Sequence, residues 1–126
     1  MAKSYYLYEK TTGVKGPFPL TTKNAAHDSL ATPGIYLLAE KHSKGHLVLY
    51  VGRAKKLNNR LPKWVGKYEH FFYKPTKTEN GAFFDECHHF HKYGKANNLD
   101  NKIHPAKPAG TSLPLCSEKG CKGEAN

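Results

Sequence analysis

The stretch "PGIYLLAEKHSKGHLVLYVGRA", residues 33–54, predicts the centre of the fold. Two runs rich in β-branched and aromatic residues, 34–40 and 46–52, flank the segment KHSKG, in which Gly45 suits a tight turn. The pattern therefore predicts an antiparallel β-hairpin. Such a hairpin brings Tyr36 of the first strand towards the end of the second strand, where Tyr50 lies.

Three further elements are predicted on the C-terminal side of this hairpin. Leu57, Leu61 and Val65 recur at helical spacing, although Pro62 interrupts that segment because proline kinks or ends a helix. A third strand and a longer second helix, ending near Gly94, complete the set. The predicted ranges are a helix over 54–66, a strand over 69–74 and a helix over 80–94.

The N-terminal part reads as an extension of this core. It offers a short strand over 5–8, a Gly- and Pro-rich connection over 11–19, and a helix capped by Thr21 or Thr22. The fold class predicted is α/β (α+β), with a small central antiparallel three-stranded sheet flanked by helices. The predicted organisation is one domain, with residues 1–32 packed on the core, 33–110 forming the core, and 111–126 as a flexible tail.

Charge is the strongest compositional feature of the 126-residue chain, whose formal net charge is +10. A protein with this positive charge attracts polyanions, so nucleic acid is the leading partner class. The alternative is a solubilising, ribosome-associated or membrane-surface role for the charge. Eighteen of the 20 basic residues are lysines, and the two arginines, Arg53 and Arg60, directly follow the hairpin. Because the planar fork of arginine grips phosphate oxygens with defined geometry, this placement indicates a phosphate site.

The compartment expected from the sequence is the cytoplasm, or association with the nucleoid. The first residues lack the apolar region of a signal peptide, and no run approaches membrane-spanning length, so no membrane partner is expected. The three cysteines, an odd number, fit a reducing environment better than a disulfide scaffold.

One carboxylate on the second helix stands out. At about 100° per residue, Phe83, Cys87 and Phe90 share one buried stripe, and Glu86 falls on its margin, whereas Asp85 points away from the core. A carboxylate at such a margin must find a donor, a cation or a metal. A salt bridge to lysine and a functional carboxylate in a cleft both satisfy this requirement.

The triplets GIY at 34–36 and YVG at 50–52 resemble the signature of the GIY-YIG nucleases. The 13-residue gap between the triplets is slightly longer than is usual in that family. The resemblance continues with Arg60, ten residues after Tyr50, and with a helix that carries a single glutamate, Glu86. It covers roughly residues 33–98.

The resemblance implies a metal-dependent endonuclease that hydrolyses DNA, most simply double-stranded DNA, with a homodimer possible on the substrate. Glu86 would bind one Mg²⁺ or Mn²⁺, and Arg60 would hold the scissile phosphate. Tyr36 or Tyr50 would orient or deprotonate the attacking water. In supporting roles, Arg53 would supply positive charge to the tyrosines, and Gly52 would keep the backbone clear for nucleic acid.

The sequence departs from the family pattern at two places. Position 64 is Trp, where the family often has His or Tyr, and Tyr68 or His70 could replace that function from nearby. The late asparagine of the family has two candidates, Asn98 and Asn101, of which Asn101 is preferred.

Two competing interpretations remain open from the sequence. A structural zinc site would use side chains from the CHHFH segment and the tail: Cys87, His88, His89, His91, Cys116 and Cys121. Dispersed helical directions argue against it, and the histidines are expected to face DNA or solvent instead. The other interpretation is a non-catalytic nucleic-acid binder of the same fold, with an RNA-binding accessory protein as a further variant.

Overall fold

The structure, a computed structural model, describes residues 6–93 and 99–100. Within them, five strands form a single antiparallel sheet in the order β1-β4-β3-β5-β2, and three α-helices accompany it. The strands are β1 Tyr6–Leu7, β2 Lys15–Pro19, β3 Gly34–His42, β4 Gly45–Ala54 and β5 His70–Pro75. The helices are α1 Thr22–Ala25, α2 Leu57–Arg60 and α3 Glu79–Lys92, with 3₁₀ turns at Asp28–Leu30 and Leu61–Trp64. The mixed α+β class is therefore confirmed.

The predicted hairpin is formed by β3 and β4, joined by a two-residue turn at Ser43 and Lys44. Gly45 follows the turn with a φ of +148°, a conformation that side-chain-bearing residues rarely adopt. In the register of this pair, Tyr36 lies opposite Gly52 and Leu38 lies opposite Tyr50. The two tyrosines consequently share one face of the sheet.

The prediction of a three-stranded sheet is wrong, because the N-terminal segment supplies both edges. β1 pairs with β4, and β2 pairs with β5. β2 occupies the Gly- and Pro-rich stretch that was expected to be a connection. All five of its residues are exposed, so no alternation of buried and exposed residues marks it, and an edge strand tolerates proline.

The central strand β3 is buried on both faces. Tyr36 and Leu38 pack on the face covered by α1 and α2, in a cluster that includes Leu57 and Leu61. Leu37 and Ala39 pack on the opposite face, in the cluster that holds Phe72 and Phe90. Because successive side chains of β3 point to opposite faces of the sheet, this one strand contributes to both halves of the core.

The first predicted helix is shorter than expected. α2 ends at Arg60, and the chain continues as a 3₁₀ turn that carries Pro62 in its first residues, because proline has no N–H to extend the α-helical pattern. Leu57 and Leu61 are nevertheless completely buried. The tighter turn places Trp64 against the same face of the sheet.

The second predicted helix is α3, and its stripe of Phe83, Cys87 and Phe90 is buried as predicted. The Thr78 hydroxyl caps its N-terminus by accepting a hydrogen bond from the Gly81 N–H at 3.0 Å. Gly94, predicted to end it, and the predicted tail at 111–126 lie outside the described residues. In the part of the chain that the structure describes, no helix has the length and apolar character needed to cross a membrane.

Two expectations about α3 are wrong. Asp85 is not a solvated acid, because Lys74 of β5 pairs with its Oδ2 at 3.1 Å. His89, which was expected to face DNA or solvent, is buried, and its Nδ1 contacts the Asp85 carbonyl oxygen at 2.8 Å. Both residues lie close enough to the sheet for neighbouring strands to cover them. The angular position of a residue around the helix axis does not show such covering.

Gly52 makes room for an aromatic ring rather than for nucleic acid. A Cβ atom at position 52 would overlap the ring and hydroxyl of Tyr36, which lie directly over it. The Tyr36 side chain is only 2% exposed, so it has little space into which to retreat. The register that sets Tyr36 opposite Gly52 therefore also determines how the Tyr36 ring packs within the hairpin.

We expect Gly52→Ala to destabilise the protein by about 1–3 kcal/mol, because it overpacks a closed site. Gly81→Ala is the matched control, since its Cβ would make only ordinary contacts and alanine is favoured over glycine in a helix by about 0.5–1 kcal/mol. The free energies of unfolding are measured by urea denaturation. A Gly52→Ala variant as stable as the wild type would contradict the packing described.

Candidate functional site

Four aromatic side chains form a continuous group on the face of the sheet covered by α1 and α2. The rings of Tyr36 and Tyr50 are nearly parallel, with centroids 6.3 Å apart. The Trp64 ring lies 4.6 Å from Tyr50 and 5.9 Å from Tyr68, measured between centroids. We call Tyr36, Tyr50, Trp64 and Tyr68 the aromatic cluster.

Tyr36 is the fixed member of the aromatic cluster. Its hydroxyl oxygen accepts a hydrogen bond from the Trp64 Nε1–H at 3.1 Å. Burial raises the pKa of Tyr36 well above its ordinary value, and this effect exceeds the opposing one of the Trp64 hydrogen bond. The phenol is therefore neutral in the free protein, and it is held in one orientation.

Tyr50 is the more accessible of the two phenols. It is partly buried, and burial also raises the pKa of Tyr50, with the negative charge of Glu86 acting in the same direction. The positive charge of Arg60 opposes both effects. In the free protein Tyr50 is therefore suited to donating or accepting a hydrogen bond as a neutral phenol, rather than to acting as a phenolate.

Glu86 approaches from α3, on the other side of the sheet, and meets Arg53 of β4. The distance from Arg53 Nη1 to Glu86 Oε1 is 2.7 Å, and the same guanidinium lies 5.4 Å from the centroid of the Phe83 ring. Burial raises the pKa of the Glu86 carboxyl from 4.5 to about 7, although Arg53 and Arg60 both act to lower it. Glu86 is thus a buried acid whose charged form depends on nearby cations.

Arg60, the last residue of α2, has an exposed side chain. Its charge acts on three groups, lowering the pKa of Tyr36, Tyr50 and Glu86 against the raising effect of burial. The guanidinium is thus close enough to couple to all three while remaining open to solvent. Of the four residues that the sequence proposed as catalytic, Tyr36 and Tyr50 lie with their rings side by side, and Arg60 and Glu86 act on both phenols through their charges.

Of the residues expected in supporting roles, some lie at the candidate site and one lies on the other face of the sheet. Arg53 does not serve the tyrosines as expected but holds Glu86, and Gly52 lies beneath Tyr36. Tyr68 joins the aromatic cluster, and its hydroxyl donates to Asp100 Oδ2 at 2.8 Å. His70 is not brought to the site, because its ring packs 4.9 Å from His46 on the opposite face.

The predicted late asparagine cannot be placed. Both Asn98 and Asn101 lie outside the described residues. Leu99 and Asp100 are described between them: Leu99 is completely buried, and the Asp100 N–H donates to the Leu49 carbonyl of β4. This short stretch docks beside β4 and orients Tyr68.

Trp64 is the residue that sequence reasoning undervalued. An indole has no acid or base function near neutral pH, and it was treated as a departure from the family pattern. The structure shows that it donates to one tyrosine and packs on the other, with Lys67 Nζ 5.6 Å from its ring centroid. The sequence did contain a signal that Trp64 faces the core. The tryptophan lies four residues after Arg60, on the side of the segment that buries Leu57 and Leu61.

Glu86 fits a single-carboxylate metal site. Its Oε1 accepts from Arg53, and no other donor to the carboxylate is found within residues 6–93 and 99–100. A buried carboxylate whose pKa is raised gains from a second cation, and Mg²⁺ is commonly held by one or two carboxylates with several waters. The Arg53 ion pair keeps the carboxylate ordered without occupying both of its oxygens.

The zinc interpretation gains no support from the described part of the chain. Among those residues, no group of three or more His, Cys, Asp or Glu side chains is arranged to hold a metal ion. Cys87 and His89 face the core, whereas His88 is exposed. Cys116 and Cys121 lie outside the described residues.

The candidate site therefore joins five side chains around β4: the phenols of Tyr36 and Tyr50, the guanidiniums of Arg53 and Arg60, and the carboxylate of Glu86. The phenols lie on one side of the sheet and the carboxylate approaches from the other. No protein-family model, curated protein or solved structure matches the chain.

The pH dependence of stability gives a direct test of the Glu86 environment. Between pH 4.5 and about 7 the folded protein binds the Glu86 proton and the unfolded chain releases it, so this group stabilises the fold less as the pH rises. We expect the stability of the wild type minus that of Glu86→Gln to fall across this window, by at most about 1.4 kcal/mol per pH unit. It should level off above the window.

Urea denaturation of both proteins between pH 4.5 and pH 8 provides the measurement. Burial lowers the pKa of His46 and of His89, which makes stability rise with pH, but this contribution is common to both proteins and cancels in the difference. A difference that instead grows with pH would show that Arg53 and Arg60 outweigh burial at Glu86.

The hydrogen bond between Trp64 and Tyr36 can be measured by a double-mutant cycle. We expect Trp64→Phe to destabilise the wild type by about 1–3 kcal/mol, because it leaves a buried hydroxyl without its donor. In a Tyr36→Phe background, where no hydroxyl remains, the same change should cost about 1 kcal/mol less. Strictly additive free energies of unfolding would contradict the contact.

Proposed function

We propose that the chain is a metal-dependent endonuclease of the GIY-YIG type that hydrolyses DNA phosphodiester bonds. The observation that carries the proposal is that Tyr36 and Tyr50 lie with nearly parallel rings 6.3 Å apart, where the charges of Arg60 and Glu86 act on both phenols. The resemblance proposed these four residues, and their coupling is what a single site would require.

The central part of the sheet supports the same proposal. β3, which carries the GIY triplet, pairs with β4 on one side and with β5 on the other, in antiparallel fashion throughout. Helices pack on both faces of these three strands, an arrangement compatible with the proposal. The two N-terminal strands add to its edges without interrupting it.

Arg60 is proposed to bind the scissile phosphate. Its exposed guanidinium presents a planar set of donors that matches phosphate oxygens. Hydrolysis builds negative charge on those oxygens in the transition state, where a fixed cation stabilises more than it does in the ground state. Removal of such a contact typically lowers turnover about 10²–10³-fold.

Glu86 is proposed to hold one Mg²⁺ or Mn²⁺ ion, with Arg53 keeping the carboxylate in position. The ion, when bound, supplies Lewis-acid stabilisation of charge on the leaving oxygen. The charge of Arg53 favours the anionic carboxylate, against the burial that raises the pKa of Glu86 to about 7. Arg53 thus acts on the carboxylate and not on the tyrosines.

The tyrosines are proposed to orient water rather than to deprotonate it. Burial raises the pKa of both phenols, so a phenolate is disfavoured in the free protein. Tyr50, the more accessible, can donate to or accept from an attacking water, whereas Tyr36 is held by Trp64 and shapes the site around it. Positioning of this kind is the main contribution of protein groups in phosphoryl transfer.

The formal net charge of +10 favours DNA as the substrate. One site cuts one strand, so a double-strand break requires a homodimer or two successive events. A cytoplasmic or nucleoid-associated location is part of the same proposal.

A non-catalytic nucleic-acid-binding protein of the same fold is the second candidate. Two contacts favour it: Arg53 already pairs with Glu86, and Trp64 already donates to the Tyr36 hydroxyl. A protein that used these side chains only for stability would bind DNA without needing a divalent ion. Its wild type would show no cleavage under any metal condition.

We expect the wild type to nick plasmid DNA in Mg²⁺ and to lose this activity when EDTA is added. Glu86→Gln should abolish cleavage while binding DNA within about twofold of the wild type, because it removes a metal ligand and not a phosphate contact. Arg60→Ala should lower turnover about 10²–10³-fold. Gel analysis of nicked and linear product, alongside a binding assay, measures both effects.

Lys55→Ala is the matched control for Arg60→Ala. Lys55 lies in the same segment, its side chain is 84% exposed, and its distance to Glu79 is a long 3.8 Å. Its loss should change turnover less than about threefold, since exposed pairs contribute little. Equal losses of turnover in Arg60→Ala and Lys55→Ala would mean that Arg60 acts only through the net positive charge of the protein. Full cleavage activity of Glu86→Gln would remove the metal assignment.

A further inference from the structure

A second feature lies on the sheet face of the aromatic cluster, two strands away. A pocket of about 220 Å³ opens between β5, the edge strand β2 and the segment that follows it. Three aromatic rings form one side of it, with the Phe18 centroid 5.6 Å from Phe71 and 5.7 Å from Tyr73. The other lining residues are Asn24, His27, Ser29 and Leu30.

Phe18 is the unusual residue of this pocket. Among the described residues it is the large hydrophobic side chain that is exposed, at 36% of its surface. Phe18 packs against Phe71 and Tyr73 at the edge of the sheet. The exposed part of its ring is available to a further flat ring.

The polar groups of the pocket are held in place. The Asn24 Nδ2 donates to the Pro19 carbonyl at 3.0 Å, which fixes the amide in the wall. His27 Nδ1 accepts from the Ser29 N–H at 3.1 Å, which fixes the imidazole beside it. An amide with one anchored N–H keeps donor and acceptor capacity for the edge of a ligand.

Positive charge lies at the rim of the pocket. Lys15 Nζ is 5.9 Å from the centroid of the Tyr73 ring. Lys15 is exposed on β2, so its ammonium can reach a phosphate attached to whatever lies over that ring. Aromatic surface beside lysine is the combination that binds single-stranded nucleic acid.

The size of the pocket restricts the ligand. Pockets for drug-sized molecules typically span roughly 300–1,000 Å³, so about 220 Å³ suits a single flat ring system. An aliphatic side chain of a protein partner would use the aromatic walls but neither the fixed amide nor the lysine. A nucleobase with its phosphate uses all three.

The pocket also has a defined relation to the candidate site. Tyr73 is the direct cross-strand partner of Tyr36, and the two side chains therefore share a face of the sheet. Neighbouring strands are about 4.8 Å apart, so the pocket and Tyr50, the accessible phenol on this face, fall within reach of a single DNA strand.

We propose that this pocket accepts one unpaired base of the DNA, stacked on Phe18. The substrate would then carry a single-stranded or distorted nucleotide near the scissile phosphate, rather than being a fully paired duplex. The inference relies on the proposed function only in taking DNA as the ligand.

The test is a binding experiment on the full chain in EDTA, followed by fluorescence anisotropy. Three labelled DNAs of equal length are compared: a single-stranded oligothymidine, the same strand with abasic sugars, and a fully paired duplex. We expect Phe18→Ala to bind the oligothymidine about tenfold more weakly than the wild type does. Binding to the abasic strand and to the duplex, which offer no free base, should be unchanged.

Two further variants sharpen the comparison. Phe18→Tyr retains an aromatic ring and should restore binding to the oligothymidine. Phe84→Ala removes a partly buried phenylalanine of α3, on the other side of the sheet, and should leave all three affinities unchanged. Circular dichroism establishes that each variant is folded.

A Phe18→Ala variant that loses equal affinity for the base-containing and abasic strands, or none for either, would overturn the proposal. The experiment contains no metal ion, so its outcome does not depend on hydrolysis. Phe18-dependent binding with no cleavage by the wild type would contradict the nuclease proposal alone. Cleavage by a wild type whose binding is insensitive to Phe18→Ala would contradict the pocket alone.

Discussion

The structure depends on the complete burial of the central strand β3. Its residues from Gly34 to Ala39 are buried on both faces of the sheet, and β4 and β5 satisfy its backbone on both sides. A strand in this situation needs a cover on each face. α1 and α2 cover one face and α3 covers the other, so the positions of Arg60 and Glu86 relative to the hairpin follow from the covering of β3.

The candidate site follows from the same packing. Tyr36 belongs to the buried strand, and its ring fits only because Gly52 has no side chain opposite it. That placement sets the ring against Tyr50 and directs its hydroxyl to Trp64. The core and the site therefore share side chains, and changes at Gly52 or Trp64 affect stability and site geometry together.

The hairpin, the third strand and α3 could be predicted because each is encoded by a local pattern with burial on a known period. β2 could not, because its exposed, proline-containing residues carry no such pattern and its pairing with β5 is set by distant sequence. For the candidate site, the resemblance proposed Tyr36, Tyr50, Arg60 and Glu86. It did not identify the structural role of Trp64 or the Arg53–Glu86 pair, since neither contact follows from the period of one element.

The Arg53–Glu86 pair determines how the two candidate functions differ physically. Burial works against the charged carboxylate, and one guanidinium at 2.7 Å offsets only part of that effect, since the pKa of Glu86 remains raised to about 7. Desolvation commonly exceeds the attraction between buried charges, so a contribution to stability alone does not explain the pair. The nuclease proposal uses the uncompensated charge of Glu86 to hold a divalent cation, whereas the non-catalytic candidate leaves that charge to Arg53 alone.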